Sequence, residues 1–199
     1  MKHDSDDGAD APNSFTKRMN ARVILEKKQL DITIDRLCFE LIEKHGDFST
    51  TALIGLQPRG IYLSRRIHKR ISEILKSDKV LYGELDIAFY RDDFRRGNQQ
   101  IIPSEMNIDF TVQDKNIVII DDVLYTGRTI RSALDALTDF GRPSKVELLV
   151  LVDRRYSRHL PIQPDYTGIA VDTRANDKVK VEWKENAKSD LVHIITNQA

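Results

Sequence analysis

The stretch NIVIIDDVLYTGRTIRSAL, residues 116–134, joins an apolar run, two adjacent acids, a polar loop and a helical pattern. NIVII has the length and composition of a buried strand, and the apolar residues after Thr129 recur at helical spacing. A buried strand that leads through a short loop into a helix is typical of a βαβ unit. Asp121 and Asp122 follow the apolar run directly, and carboxylates there are costly to bury unless they face a ligand, a cation or water.

The rest of the chain continues this alternation. Apolar spacing predicts helices over residues 26–45, 61–75 and 129–140. Short apolar runs predict strands over residues 51–56, 80–90, 116–120, 145–153 and 178–183. We therefore expect an α/β fold with a mostly parallel sheet flanked by helices, which binds its ligands at the carboxyl ends of the strands.

Composition limits the classes of function. Basic and acidic residues balance, so overall charge predicts neither a nucleic-acid partner nor a membrane partner. No apolar run approaches the roughly 18 residues of a membrane helix, and the acidic, polar residues 1–18 predict a disordered tail rather than a signal peptide. The single cysteine, Cys38, falls within a helical pattern and is expected to pack in the core, which fits a reducing, cytoplasmic compartment.

The loop from Thr126 to Thr129 has the features of a phosphate site. Backbone N–H groups at the start of a helix lack helical partners and can converge on an anion, and Gly127 allows close approach. Acids that hold vicinal hydroxyls, next to amides that hold a phosphate, describe a site for ribose 5-phosphate. The alternatives are a helix N-cap supplied by threonine and a salt-bridged turn at the acids.

The sequence NIVIIDDVLYTGRT resembles the phosphoribosyl pyrophosphate (PRPP) signature of type I phosphoribosyltransferases. The resemblance implies that the two acids hold the ribose 2- and 3-hydroxyls and that the loop holds the 5-phosphate. The implied substrate contacts are Asp121, Asp122, Val123, Leu124, Tyr125, Thr126, Gly127, Arg128 and Thr129. Purine-salvage members commonly carry an aspartate before Thr-Gly as a general acid/base, and Tyr125 supplies no carboxylate for that role. Purine substrates are therefore disfavoured.

Further segments resemble a narrower group, the bifunctional pyrimidine operon regulator/uracil phosphoribosyltransferase family. These segments include GLQPRGIYLSRRI, GELDIAFYRDD and LVDRRYSRHLPIQPDYTG, and the match runs over about residues 22–181. By this resemblance Pro58 and Arg59 lie in a pyrophosphate-binding loop, and the peptide between them is expected to be cis. Arg91 contacts substrate and opens a loop over residues 91–107, which closes over the reacting sugar.

The same resemblance implies a hood over the base. Arg154 and Val179 are its expected substrate contacts, and the hood is expected to come from the 153–183 region. The domain boundaries follow from these assignments: a disordered tail at 1–18, a phosphoribosyltransferase domain at 19–184 and a C-terminal segment at 185–199.

The implied activity is that of a pentosyltransferase that makes UMP and pyrophosphate from uracil and PRPP. Asp121, Asp122, Arg59 and Arg91 are the expected catalytic residues, with Mg²⁺ held mainly through the substrate and with no metal-ligating side chains. The expected partners are PRPP, uracil and UMP, with no membrane and with assembly into a homo-oligomer of two or more chains. The alternatives are a nucleotide-sensing RNA-binding regulator with little or no catalysis and a phosphoribosyltransferase for another base.

The family's second role is to bind leader RNA of pyrimidine genes in a UMP-responsive manner. RNA affinity requires a basic surface, for which the candidates are Arg18, Arg22, Lys27, Lys28, Arg36, Arg142, Lys145, Arg154, Arg155 and Arg158. Asp31 and Asp35 interrupt the basic pattern of the first helix, and Tyr156 stands where the family usually has histidine. The acidic tail also opposes RNA, so the sequence leaves this role open.

Overall fold

A computed structural model of the chain describes residues 19–90, 108–174 and 176–197. The predicted disordered tail, and the loop over residues 91–107 with Arg91, lie outside the described residues.

In the described parts of the chain, strands and helices alternate through the first two thirds. The helices are α1 (Lys27–His45), α2 (Gly60–Leu75) and α3 (Arg128–Leu137). The strands are β1 (Met19–Glu26), β2 (Thr51–Leu56), β3 (Leu81–Leu85), β4 (Asn116–Leu124), β5 (Lys145–Arg155), β6 (Tyr166–Asp172), β7 (Asp177–Glu182) and β8 (Leu191–Asn197). All three predicted helices and the predicted strand over Thr51–Leu56 are confirmed.

The main sheet has five strands in the order β3-β2-β4-β5-β6, and every pairing in it is parallel. Side chains of β4 alternate between its faces: Val118 and Ile120 pack with α1 and α2, whereas Ile117 and Ile119 pack with α3. The central strand is thus buried on both faces, which explains its continuous apolar run. The predicted α/β fold with a parallel sheet flanked by helices is confirmed.

A second, antiparallel sheet has the order β1-β8-β7. Only β7 comes from the 153–183 region that was expected to form the hood, whereas β1 and β8 come from opposite ends of the described chain. Val181, Trp183, Val192 and Ile194 join this sheet to the core beneath α1 and α2. Sequence periodicity did not predict β1 or β8, because each becomes a strand by pairing with a segment that is distant in the chain.

Two boundaries differ from the sequence prediction in ways that matter for the site. The strand predicted over 116–120 continues to Leu124, since its pairing with β5 runs on to Asp153. The strand predicted over 80–90 ends at Leu85, where Asp86 accepts a hydrogen bond from the N–H of Ala88 at 2.8 Å and starts a 3₁₀ turn. None of the helices in the described part of the chain has the length and apolar character that a membrane span requires.

Candidate active site

The two adjacent acids lie inside β4, just beyond the point where its pairing with β2 ends at Ile120 and Gly55. Asp121 is 7% exposed and Asp122 is 6% exposed, and the N–H of Asp122 donates to Oδ1 of Asp121 at 2.9 Å. Burial raises the pKa of Asp121 well above its ordinary value, and the neighbouring charge of Asp122 raises it further. Burial also raises the pKa of Asp122, against the opposing effect of Arg59. The pair therefore favours a ligand that brings hydroxyl donors or positive charge.

The loop after β2 packs directly against these acids. A Cβ atom on Gly60 would lie 2.5 Å from the carbonyl oxygen of Ile120 and 3.0 Å from Cα of Asp121, so only glycine allows this approach. Gly60 is also the first residue of α2, and Arg59 precedes it at the N-cap position. The sequence Pro-Arg-Gly thus places a guanidinium and the start of a helix beside the acidic pair.

The cis peptide of this loop is not the one that the resemblance implied. The bond between Gln57 and Pro58 is cis, one position before the expected Pro58–Arg59 bond. An X–Pro bond adopts the cis form far more readily than a bond to arginine, because the tertiary amide loses most of its trans preference.

The loop after β4 leads into α3 through Gly127, which is the N-cap residue and has a φ of 88°. The N-cap residue is therefore glycine and not threonine. The hydroxyl of Thr126 accepts a hydrogen bond from the N–H of Arg128 at 3.4 Å. We call residues 125–129 the phosphate loop. Its amides at the start of α3 have no carbonyl four residues earlier within the helix, as an anion site requires.

Arg154 and Tyr125 form a stacked pair at the ends of β5 and β4. The guanidinium of Arg154 lies 3.9 Å from the centroid of the Tyr125 ring. The same guanidinium donates to Oγ1 of Thr173 at 3.1 Å and to the carbonyl oxygen of Asp177 at 3.0 Å. Arg154 is 5% exposed, so these contacts fix both its position and that of the exposed tyrosine ring.

A crevice of about 250 Å³ lies between Asp122 and the antiparallel sheet. Its walls comprise Arg59, Asp122, Lys180, Val181, Glu182, Trp183, Asn186 and Ala187. Val179, which the resemblance singled out, is partly buried against the core and lies outside these walls. Sequence reasoning missed Lys180 and Trp183; the alternating pattern KVKVEW was the available signal, but it did not reveal which main-sheet loop these residues would face.

Comparison with known proteins decides the family. A sequence model of the phosphoribosyl transferase domain matches residues 21–186. The Bifunctional protein PyrR of Elusimicrobium minutum is 46% identical over 174 residues, which cover 87% of this chain and 96% of that protein. The chain belongs to the PyrR family of phosphoribosyltransferases. The Bifunctional protein PyrR of Bacillus subtilis agrees, with 40% identity over 178 residues that cover 88% of this chain and 97% of that protein.

Solved structures support the same fold for this PyrR family member. A hypoxanthine phosphoribosyltransferase from Staphylococcus aureus superposes with a TM-score of 0.63 and covers 89% of this chain and 92% of its own. Its sequence identity is 20%, so the likeness extends to the fold and not to the choice of base. The family resemblance carried by the acidic pair and the Thr-Gly-Arg-Thr loop is confirmed by the domain model and by the PyrR relatives.

Several of the basic residues considered for RNA binding already contact other groups of the same chain. Lys27 pairs with Asp31 at 2.7 Å, and Arg155 pairs with Asp172 at 2.8 Å. Arg36 donates to the backbone carbonyls of residues 167 and 168 at 3.0 and 2.7 Å. The exposed basic residues of that set include Arg22, Lys28 and Arg142, whereas Arg18 lies outside the described residues.

The donor set fits a cation that enters with its substrate. Within residues 19–90, 108–174 and 176–197, no group of three or more histidine, cysteine or carboxylate side chains is arranged to hold a metal ion. Asp121 and Asp122 provide carboxylate oxygens at one place, and Mg²⁺ prefers six oxygen ligands that usually include water and phosphate. These residues suit a Mg²⁺ ion whose remaining ligands come from a diphosphate.

Proposed function

We propose that this chain transfers the phosphoribosyl group of PRPP to uracil, which gives UMP and pyrophosphate. The observation that carries the proposal is the approach of the Pro58–Arg59–Gly60 loop to Asp121 and Asp122. This approach creates one site with a guanidinium for a diphosphate and carboxylates for a ribose. A salt-bridged turn, the alternative for the acids, would not require glycine at a position where a Cβ atom would lie 2.5 Å from the carbonyl oxygen of Ile120.

Each element of the site has one task in the transfer. Asp121 and Asp122 accept hydrogen bonds from the ribose 2- and 3-hydroxyls and favour positive charge on the ring as its bond to the diphosphate stretches. The amides and hydroxyls of the phosphate loop hold the 5-phosphate. Arg59 donates to the departing pyrophosphate through charge-assisted hydrogen bonds.

Positioning and electrostatics supply the acceleration in this scheme, because it uses neither a nucleophilic side chain nor a strong base. When bound, Mg²⁺ neutralises charge on the diphosphate beside Asp121 and Asp122. Arg91 remains a predicted contact for the same leaving group.

The choice of uracil rests on the family resemblance and on Tyr125. Its ring is held over Arg154, where purine-salvage enzymes commonly present an acidic side chain. The test is a pyrophosphate-release assay in which uracil, orotate, hypoxanthine and guanine are offered separately and in competition. We expect turnover with uracil; turnover with hypoxanthine and none with uracil would overturn the assignment of the base.

A second candidate function, UMP-responsive binding of leader RNA, is favoured by the name "Bifunctional protein PyrR" of the relatives. The internal pairing of Lys27, Arg36 and Arg155 leaves fewer cations for phosphate, so we expect modest affinity with a shallow dependence on salt. Filter binding to a pyrimidine leader RNA, with and without UMP and at two salt concentrations, tests this. Equal binding to a scrambled RNA with no response to UMP contradicts it.

Assembly into a homo-oligomer and a cytoplasmic location remain predictions of the same resemblance. Sedimentation of the purified chain with and without UMP tests the first of these. A monomer in both conditions contradicts it.

A further inference from the structure

Arg158 lies in the irregular segment between β5 and β6, and its side chain is 21% exposed. Its guanidinium donates to backbone carbonyls from three separate pieces of chain and pairs with a carboxylate. The carbonyl acceptors are those of Leu124 at 3.3 Å, Tyr125, Arg154 at 3.0 Å and Ile162 at 3.0 Å, and the carboxylate is that of Asp153. One side chain therefore ties the end of β4, the end of β5 and its own segment together.

The backbone of the same segment also binds the phosphate loop. The carbonyl oxygen of Thr126 accepts hydrogen bonds from the N–H groups of His159 at 3.0 Å and Leu160 at 3.2 Å. Leu160 and Ile162 pack so closely on Gly127 that a Cβ atom there would lie 3.4 and 3.3 Å from them. We call residues 157–162 the latch segment, because they hold the phosphate loop by both hydrogen bonds and packing.

The contacts require arginine in particular. Carbonyls at the end of β4 lie where strand pairing stops, and a buried carbonyl without a donor is costly. A guanidinium presents several N–H donors in a fixed plane, whereas a lysine ammonium is a single point of charge that cannot reach acceptors spread over three segments. A guanidinium committed to these acceptors is also not available to an RNA phosphate, although the sequence had placed Arg158 among the RNA candidates.

We propose that Arg158 is a positioning residue for substrate binding. Through the latch segment it fixes the phosphate loop, and with it the 5-phosphate of PRPP or UMP, relative to the stacked Arg154. Arg158 touches no reacting atom in this scheme and acts through the backbone of residues 124–127. The inference rests on the proposed function, because it takes the phosphate loop to hold that 5-phosphate.

The test compares Arg158→Lys with Arg131→Lys in the full chain. Arg131 is an exposed arginine on α3 that pairs with Asp135 at 3.7 Å, so its variant makes the same chemical change outside the latch. The measurements are KM for PRPP, kcat, the Kd of UMP by calorimetry and the melting temperature. For Arg158→Lys we expect KM and Kd to rise about 10- to 100-fold while kcat falls by less than about tenfold. Arg131→Lys is expected to match the wild type.

A large rise in KM with a small fall in kcat distinguishes a positioning role of Arg158 from a loss of folded protein. A partly unfolded variant loses kcat in proportion to its inactive fraction but keeps the wild-type KM. Hydrogen exchange gives a second readout: Arg158→Lys is expected to speed amide exchange at residues 125–129 and 157–162 and to leave α2 unchanged. A PRPP KM within about twofold of wild type, with exchange unchanged in both segments, overturns the proposal.

The same experiment distinguishes this inference from the assignment of uracil. If the wild type binds PRPP but does not use uracil, the acceptor is wrong, and the Kd values of the two variants for PRPP still decide the role of Arg158. If the wild type binds neither PRPP nor UMP, both proposals fall.

Discussion

Replacing Gly60 with alanine tests whether the approach of the loop after β2 to the acidic pair makes the site. The new Cβ would lie 2.5 Å from the carbonyl oxygen of Ile120, whereas ordinary contacts begin near 3.4 Å. The obstacle is backbone in a central strand, so the loop that carries Arg59 must retreat by about 0.9 Å. A misplacement of about 1 Å can cost on the order of 100-fold in rate, and we expect kcat/KM for PRPP to fall by about that factor.

Gly60→Ala should also lose a modest amount of stability and remain folded. Overpacking costs about 1–3 kcal/mol, and about 2–4 °C of melting temperature is lost per kcal/mol in a chain of this size. The assay is pyrophosphate release, with the melting temperature measured on the same preparation.

The matched control for this prediction is Gly46→Ala at the end of α1. Gly46 has a φ of 61° and no atom within 4 Å of its would-be Cβ, so alanine strains the backbone without displacing a neighbour. The control should lose about 1–3 kcal/mol of stability and keep its activity. A folded Gly60→Ala variant whose kcat/KM stays within about threefold of wild type would refute the argument.

Three further changes test separate contacts. Asp122→Asn removes a charged hydrogen bond worth about 1.5–3 kcal/mol, so kcat in the pyrophosphate-release assay should fall about 10- to 100-fold. Burial raises the pKa of Asp122, which means that the folded chain disfavours its charged form, so the melting temperature of the neutral variant should hold or rise. Burial of Glu147 opposes its ionisation, but hydrogen bonds led by that from Lys145 lower its pKa from 4.5 to about 2. Its carboxylate therefore stabilises the fold above pH 4.5, by about 3 kcal/mol, and this contribution is lost as pH falls toward 2. The stability gap between wild type and Glu147→Gln in denaturant titrations should accordingly be wide at pH 7 and narrower at pH 3, and a gap independent of pH contradicts the assignment. Arg66→Leu removes the guanidinium 2.9 Å from Asp190, whose side chain is 2% exposed, and leaves this buried carboxylate with the N–H of Lys184 as its hydrogen-bond donor. Stability should fall by about 3–5 kcal/mol and recover in part when Asp190→Asn is added.

Local sequence patterns predicted the parts of this fold that depend on a single segment. β2 was predicted at its observed bounds, and the helices were predicted to within a few residues, because periodicity reflects which face of one segment is buried. The acidic pair and the loop after it could be singled out for the same reason, since both lie on one strand–loop–helix unit, and their binding roles remain predictions. The end of β4 was misjudged because pairing with β5, which periodicity does not report, continues through the acids.

The role of Arg158 shows where residue type alone misleads. Three neighbouring arginines, Arg154, Arg155 and Arg158, look alike in the sequence as a basic cluster. In the structure Arg154 stacks on Tyr125, Arg155 forms an exposed pair with Asp172, and Arg158 binds backbone carbonyls. Their different tasks follow from the group that each one contacts in the folded chain: an aromatic ring, a carboxylate and backbone carbonyls, respectively.

The order of residues along this chain was enough to predict the alternation of strands and helices, the acidic couplet and the glycine-containing bend that follows it, because each depends on a single local segment. Tertiary structure decided which groups face one another. It brought Gly60 against Asp121, paired β1 with β8, set Trp183 and Lys180 opposite Asp122 and tied Arg158 to the end of β4. Such contacts join residues far apart in the chain, and they depend on how whole helices and strands pack rather than on the periodicity of any one segment.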